Sequence, residues 1–365
     1  MNTAANDTKQ KYNAQSGTII VIPALNPDEE LISYVAALKE KDYEKILIVN
    51  DGSSPSCASI FDALSDMDCV VLNHDRNKGK GQALKTAFSH ILAQGLDCLG
   101  VVTADADGQH AISDIEKLAE KLQDTGDSVI LGVRDLRAAH VPTRSRIGNG
   151  ASALAFRFLY GVDVQDTQTG LRAIPRSLLG WAAEISGARF EYEMNMLIRA
   201  KKNRIPLVEV PIHTIYAGDE HVSHFKTVSD TIRIFCVLIR GLLEYALSSC
   251  LSAITDITVF YLATRFLFGD FPPATKILWG TLLARVLSSL LNFTLNKRFV
   301  FSSKGNTGNS MFKYAALWCL QLSASYAIVY FAQTALNLPL VAIKAVTDII
   351  LALFSYQIQL HWVFR

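Results

Sequence analysis

VVTADADGQH, residues 101–110, holds both the strand and the acids around which the chain is organised. The apolar run 98–103 reads as a buried strand, because a strand covered on both faces needs no polar alternation. It delivers Asp105 and Asp107, with Gly108 and Gln109 directly behind. Alternate residues of an extended chain point the same way, so the two carboxylates converge at the strand's end. Carboxylates that close repel each other unless a cation lies between them. Hard divalent cations such as Mg2+ or Mn2+ take oxygen ligands, commonly one or two carboxylates plus substrate phosphates. Gln109 offers a further oxygen. One reading is a metal bridge to a diphosphate; the plainer one is an acidic turn ahead of a helix from Ser113.

Working outward, 365 residues suffice for two domains. A net charge of +1 gives no overall field for nucleic acid, so no nucleic-acid partner is expected. Half the residues are hydrophobic, unevenly spread. The first ~220 look soluble, and from Phe235 onward long apolar runs give a membrane signature. The six cysteines form no CxxC pair, which argues against a zinc site or a disulfide framework and suits a reducing compartment. Residues 1–17 are polar throughout and do not read as a signal peptide, so the soluble half is expected in the cytoplasm.

Residues 18–22 are a β-branched run ended by Pro23, the first parallel strand, and a helix can begin near Asn26 to Asp28. Residues 45–50 give the second strand, stopping at Asp51-Gly52-Ser53-Ser54. Open α/β sheets bind nucleotides at such strand ends, so Asp51 suits a base or ribose contact as well as a plain turn. Residues 69–72 lead into Asn77-Lys78-Gly79-Lys80-Gly81 and a helix from Gln82. Gly79-Lys80-Gly81 looks like a phosphate cradle, without the spacing of a Walker A loop. The fifth strand, 128–132, ends at Val133-Arg134. Strands alternating with helices give a doubly wound parallel sheet. Asp51, Asp105, Asp107 and Arg134 then collect at its C-terminal strand ends, as one site.

Residues 134–146 carry Arg134, Arg137, Arg144, Arg146 and His140. Beside a diphosphate site such a cluster can bind a second phosphate, which the guanidinium fork matches. A solvated basic loop and a contact with anionic headgroups are the alternatives. Glu191 and Glu193 open a helix over 189–197, where the dipole favours acids as readily as any chemistry does.

Residues 221–240 read as an amphipathic helix at a membrane surface, or a core helix, with His221 and His224 as interfacial polar residues. Four spans follow, at about 243–268, 274–296, 312–336 and 339–362, each long enough to cross a bilayer. They repeat: EYALSSCLSAITDITVFY parallels KYAALWCLQLSASYAIVY, and LLNFTLNKRFVF parallels LFSYQIQLHWVF. Arg240, Lys297, Arg298, Lys304, Lys313 and Arg365 flank one side, which the positive-inside rule places in the cytoplasm. Asp256, Arg285 and Asp348 fall near mid-bilayer, where charge is costly. Arg285 is expected to pair with Asp348, with Asp256 nearby, as a structural ion pair or a polar path for a lipid headgroup.

IPALNP, VNDGSS, NKGKGQALKTAF, DADGQH, LGVR and DTQTGLRAI follow one another through residues 17–230. In that order they resemble family 2 glycosyltransferases of GT-A fold, most closely the dolichyl-phosphate mannose synthase-like branch that glycosylates polyprenyl phosphates. Residues 240–365, NFTLNKRFVF above all, resemble the GtrA-like family, linked to moving or handling polyprenyl-linked sugars. The resemblance implies an α/β GT-A (Rossmann-like), mostly parallel sheet domain, then an amphipathic interface helix and an all-α domain of four transmembrane helices. The expected division is a polar tail over 1–17, a catalytic domain over 18–220, the interface helix over 221–240 and the membrane domain over 241–365.

The resemblance also implies a UDP- or GDP-sugar donor. Pro23, Ala24, Asn26 and Asp51 would line the base pocket and Lys80 would join the donor site. Asp105, Asp107 and Gln109 would hold Mg2+ or Mn2+ on the diphosphate. Arg134 and Arg144 or Arg146 would bind the acceptor phosphate, with Asp166, Thr169, Gly170 and Arg172 lining the same cleft. Asp107 and Arg134 are the expected catalytic pair. The branch commonly has Tyr-Asn-Glu where this chain has Leu25-Asn26-Pro27, its acids following at Asp28 and Glu29.

A sugar hydroxyl must lose a proton to a base, whereas a lipid phosphate is already ionised and needs charge neutralisation and in-line positioning. The QxxRW motif of processive synthases is missing from the sequence. The expected reaction is one inverting, metal-dependent displacement onto undecaprenyl or dolichyl phosphate. It is placed at the cytoplasmic face of the plasma membrane, in a multi-pass protein. Two alternatives stay open: flipping of the product by the membrane half, and transfer to a sugar hydroxyl with the spans as anchor. The oligomeric state is open too, a homo-oligomer included.

Overall fold

The computed structural model describes residues 14–135, 141, 143–213, 227–303, 305–335 and 339–364. The expectations for the start of the tail, Arg137, His140, residues 221–226, Lys304, Arg365 and the Arg144 side chain lie outside the described residues. The chain divides into two compact units, Met1–Arg157 with Val162–Leu238, and Phe158–Gly161 with Ile239–Arg365.

The first unit is built on β1 (Thr18–Ala24), β2 (Ile46–Asn50), β3 (Val70–Asn73), β4 (Gly100–Thr103), β5 (Val129–Arg134), β6 (Arg172–Pro175) and β7 (Leu207–Ile212). They form one sheet in the order β3-β2-β1-β4-β6-β5-β7. Only β6 is reversed, antiparallel to both β4 and β5. The close pairing of β6 with β4 depends on Gly100, where a Cβ would lie 2.4 Å from the Ile174 carbonyl oxygen. The reversal has a consequence for the site. The chain enters β6 at the sheet edge where β4 and β5 end, so residues 166–170 arrive beside Asp105 and Arg134. The five expected strands are present; β6 and β7 were not anticipated. β7 carries Pro211, tolerated because β7 is an edge strand.

Ile19 to Ile22 of β1 are buried on both sides. The helix Glu30–Lys39 covers the sheet with Leu31, Val35 and Leu38, one stripe at helical spacing. The helix Ile112–Asp124 does the same with Ile115, Leu118 and Leu122. Its buried Asp114 accepts the His213 amide at 2.7 Å, which fastens the end of β7.

Among the described residues four helices are long and apolar enough to cross a membrane, within Asp230–Leu267, Pro273–Val300, Thr307–Thr334 and Ala342–Val363. One helix runs from Thr227 to Leu262, so the expected junction of interface helix and first span, at 240–243, lies inside a continuous helix. The second and fourth spanning helices each end in a π-helical turn, Asn296–Val300 and Gln359–Val363. Asn296 and Gln359 hold the same place in the two repeats, and they hydrogen-bond each other at 3.0 Å. Tyr245 and Tyr314 are likewise counterparts. Tyr314 donates to Asn292 of the other repeat at 2.8 Å, and Tyr245 accepts from Gln359 at 3.2 Å. The repeats are thus crossed reciprocally by polar contacts.

The pairing of Arg285 with Asp348 is not what forms. Arg285 Nε lies 3.7 Å from Asp256 Oδ1, and Asp348 pairs with Lys344 and Ser325. The reason lies in the repeat. Arg285 and Asp348 are counterparts on second helices, and each meets the first helix of its own hairpin, at the counterpart positions Asp256 and Ser325. Lys344 escaped the sequence reading.

Candidate functional site

Asp51, directly after β2, is buried. Its Oδ1 accepts the Lys78 amide at 2.8 Å and its Oδ2 the Gly79 amide at 2.7 Å. Oδ1 also lies 2.7 Å from His74 Nδ1, whose Nε2 is 3.0 Å from Thr86 Oγ1. Expected at a base or ribose, Asp51 commits most of its acceptor capacity to the protein's own loop. Asn26 works similarly at φ 47°. Its amide donates to Ser53 Oγ at 2.8 Å and its Oδ1 accepts the Ser54 amide at 2.7 Å. The loops after β1 and β2 thereby form one wall, with Pro23 and Ala24 at the end of β1.

Gly79 and Gly81 make room for protein rather than for a phosphate. A Cβ at Gly79, where φ is 99°, would lie 2.4 Å from the Ala188 carbonyl oxygen, and one at Gly81 2.4 Å from Tyr192 Cβ. This close approach brings the helix Glu191–Asn203 to Lys80. Lys80 Nζ lies 2.6 Å from Asp105 Oδ1, 2.8 Å from Glu193 Oε1 and 5.8 Å from the Phe190 ring centre. Burial disfavours its ammonium, yet Asp105 and Glu193 outweigh that and hold its pKa above the ordinary lysine value.

Asp105 Oδ2 also lies 3.3 Å from His110 Nε2. Burial alone would raise the Asp105 pKa; Lys80 and His110 reverse this and hold it well below the usual carboxylate range. Asp107 accepts the Gln109 amide at 3.2 Å. Desolvation and the neighbouring Asp105 charge push its pKa up. Tyr34 hydroxyl donates to the His110 carbonyl at 2.9 Å and pins the acidic loop to the first helix.

Arg134 ends β5 and grips Asp166 with two parallel bonds, Nε to Oδ2 at 2.6 Å and Nη2 to Oδ1 at 3.0 Å. Asp166 is fully buried, so it positions Arg134 instead of lining the acceptor-phosphate cleft as expected. Arg172 corrects a second expectation. It is buried, and its guanidinium donates to the carbonyls of Thr169 at 3.0 Å and Glu193 at 2.8 Å, not toward an open cleft. A Cβ at Gly170 would lie 2.5 Å from Asp105 Oδ2 and 2.7 Å from Lys80 Nζ, so a larger residue there would displace that pair. Arg146 is exposed on the helix Thr143–Tyr160.

Glu193, His74, His110 and Tyr34 belong to this constellation; the sequence left Glu193 open between helix capping and chemistry and singled out none of the other three. The structure separates the two acids. Glu191 Oε1 alone accepts the Ala188 and Arg189 amides, at 2.9 and 3.2 Å, which leaves the second acid of the pair surplus to capping.

Asp105 and Asp107 suit a hard divalent cation: they are oxygen donors whose repulsion calls for positive charge, and a lysine already meets one of them. Among the described residues no group of three or more His, Cys, Asp and Glu could hold a metal ion. The remaining ligands would have to come from Gln109, water or a diphosphate, as Mg2+ sites commonly have it.

Residues 19–180 match glycosyl transferase family 2, and residues 244–364 match the GtrA/DPMS transmembrane domain. The UDP-N-acetylglucosamine–dolichyl-phosphate N-acetylglucosaminyltransferase of Methanococcus voltae is 33% identical over 216 residues, 54% of this chain and 85% of that protein. Polyprenol monophosphomannose synthase of Mycolicibacterium smegmatis is 30% identical over 204 residues, 53% of this chain and 76% of that protein. Among solved structures, glucosyl-3-phosphoglycerate synthase from Mycobacterium tuberculosis with Mn2+ and UDP-glucose aligns with TM-score 0.47. It is 16% identical, covering 65% of this chain and 82% of that one.

Proposed function

The chain belongs to glycosyl transferase family 2 and carries a GtrA/DPMS transmembrane domain, and from that premise we propose that it transfers a sugar from a nucleoside-diphosphate donor to the phosphate of a polyprenyl lipid. One observation carries the reading. At a single sheet edge the fold sets the acids Asp105 and Asp107 on one strand end and a guanidinium, Arg134, held by a buried carboxylate, on another. The relatives named above act on dolichyl phosphate and make a polyprenol phosphosugar, which supports the same acceptor.

In this reading an acceptor phosphate oxygen attacks the anomeric carbon. The bond from that carbon to the donor diphosphate breaks, and the configuration inverts. No proton has to be removed, so no general base is required. Arg134, fixed in orientation by Asp166, receives the acceptor phosphate. Asp105, Asp107 and Gln109 would hold a divalent ion, which when bound neutralises the departing diphosphate. Lys80 keeps Asp105 ionised and in place. The walls formed by Asn26 and Asp51 flank the nucleotide. The reaction is assigned to the cytoplasmic face of the plasma membrane, supported by Lys297, Arg298 and Lys313 near helix ends.

The test is the full-length protein in lipid nanodiscs, offered UDP- and GDP-sugars with and without polyprenyl phosphate and chelator. Nucleoside diphosphate release that requires the lipid phosphate and stops with chelator is expected. Transfer to a soluble sugar hydroxyl at the same rate without lipid phosphate would overturn the reading.

A further inference from the structure

Where the second spanning helix ends, a notch of about 340 Å3 opens between its last turns and the start of the third. Lys297, Arg298, Ser303, Gly305 and Thr307 line it, with Phe293 at its inner wall. Lys297 Nζ donates to the Gly305 carbonyl at 2.9 Å and to Thr307 Oγ1 at 2.6 Å, which props the notch open. An ammonium has three donors, so one remains for a ligand. Arg298 is exposed. Among the described residues no acid lines the notch, so its two positive charges have no counter-charge there. The amides of Gly308 and Asn309 are already capped by Asn306 Oδ1, at 2.9 and 3.3 Å, so the attraction for an anion rests on the side chains.

The internal repeat supplies a comparison. In the second repeat Leu360 and His361 stand where Lys297 and Arg298 stand in the first, inside the same kind of π-helical turn. The turn therefore forms without the two cations. A topology signal would account for basic residues anywhere near the helix ends, but it requires no concavity around them. The helix stretch Pro273–Val300 has 28 residues. At about 1.5 Å per residue it is roughly 42 Å long, against a hydrocarbon core of about 30 Å, so its last turn reaches headgroup level. Leu290 and Phe299, both exposed, offer apolar surface at the same helix end.

We propose that this notch binds the phosphate of a membrane lipid, with Arg298 and Lys297 as its ligands and the lipid chain along the adjoining apolar surface. The chemistry is shared by anionic phospholipids and by polyprenyl phosphates, and the test separates them. Full-length protein is released from phosphatidylcholine nanodiscs containing either phosphatidylglycerol or polyprenyl phosphate, and retained lipid is counted by native mass spectrometry. The polyprenyl phosphate arm uses an Arg134→Gln background, so that the proposed catalytic cleft does not contribute.

One retained phosphate lipid is expected, and its identity names the source. Arg298→His and Lys297→Leu, which copy the second repeat and so preserve the turn, should each reduce retention about tenfold or more. Unchanged retention in both variants, or equal retention of uncharged diacylglycerol, would overturn the proposal. Asp107→Asn should abolish sugar transfer and leave retention unaltered, so loss of the catalytic reading and loss of this one are told apart.

Discussion

Lys80 sits on a carboxylate that a divalent ion would also need, and the balance of charge around Asp105 and Asp107 would set how such an ion binds. Asp105 stays ionised to low pH because Lys80 and His110 outweigh its burial, whereas Asp107 is pushed up by desolvation and by Asp105. A metal ligand must be ionised. Mn2+ affinity, followed by electron paramagnetic resonance, is therefore expected to fall as the pH drops, from a pH above that at which an ordinary aspartate, pKa about 3.9, protonates. Asp107→Asn should lower the affinity and remove that slope; a slope unchanged in the variant would count against Asp107 as ligand. The Lys80–Asp105 pair also stabilises the fold between the unfolded values of its partners. That stability is lost below as Asp105 takes a proton and above as Lys80 gives one up. Asp166 makes a second residue-scale prediction. Losing hydrogen bonds to a charged group costs about 1.5–3 kcal/mol, and Asp166 makes two such bonds to Arg134. Asp166→Asn should lower the thermal midpoint and raise the KM for polyprenyl phosphate about tenfold or more, with the KM for the nucleotide sugar little changed. A rise in both constants alike would show that Arg134 serves the donor instead.

The glycines of the loop after β3 act as elements, since they decide how near one helix comes to another. Alanine in a helix is ordinarily favoured over glycine by up to about 1 kcal/mol. At Gly81, inside the helix Lys80–Ala93, the added Cβ would meet Tyr192 Cβ at 2.4 Å. Overpacking of this kind costs about 1–3 kcal/mol, so Gly81→Ala should destabilise, against helix propensity, and denaturant unfolding followed by circular dichroism would measure it. A gain in stability would mean that the helices part easily. The same loop marks the limit of what could be read beforehand. β1 and β4 were legible because strands buried on both faces are written as apolar runs, and the acids after β4 because a strand alternates its sides. β6 was not legible. It is four residues long, opens with a buried arginine and ends in proline, and its pairing depends on the missing Cβ of Gly100. Arg172 shows the same limit within the site. Membership of the DTQTGLR stretch placed it near the cleft, but only the fold shows its donors turned onto backbone carbonyls. Lys80 and Glu193 lie far apart in the chain, and their meeting rests on two glycines that read equally well as a phosphate loop.

Over the whole molecule, the second unit is two hairpins of one pattern, and its polar contacts follow that duplication. Each hairpin satisfies its own membrane-depth charges, so Arg285 answers to Asp256. Arg285→Ala should impair membrane insertion by stranding Asp256. Asp256→Asn should restore insertion and Asp348→Asn should not, as protease protection in vesicles would report; rescue by Asp348→Asn would reinstate the cross-hairpin pair. Between the hairpins the link is made by amides. Asn296, fully buried, bonds Ser248, Asn292 and Gln359, while Gln359 bonds Tyr245 and Ser355. A polar side chain buried between helices finds no water when it loses its partner, yet measured interhelical bonds in membrane proteins average only about 0.6 kcal/mol and reach about 1.7. Asn296→Leu and Gln359→Leu should each lower stability by about 1–2 kcal/mol, because each removes more than one bond. The double variant should lose less than the sum, since the second substitution removes a group already left without its partner. A coupling of about 1 kcal/mol is expected from loss of helicity in mixed-micelle titrations. Strict additivity would mean that the two amides act through their own helices only, and that packing alone holds the hairpins together.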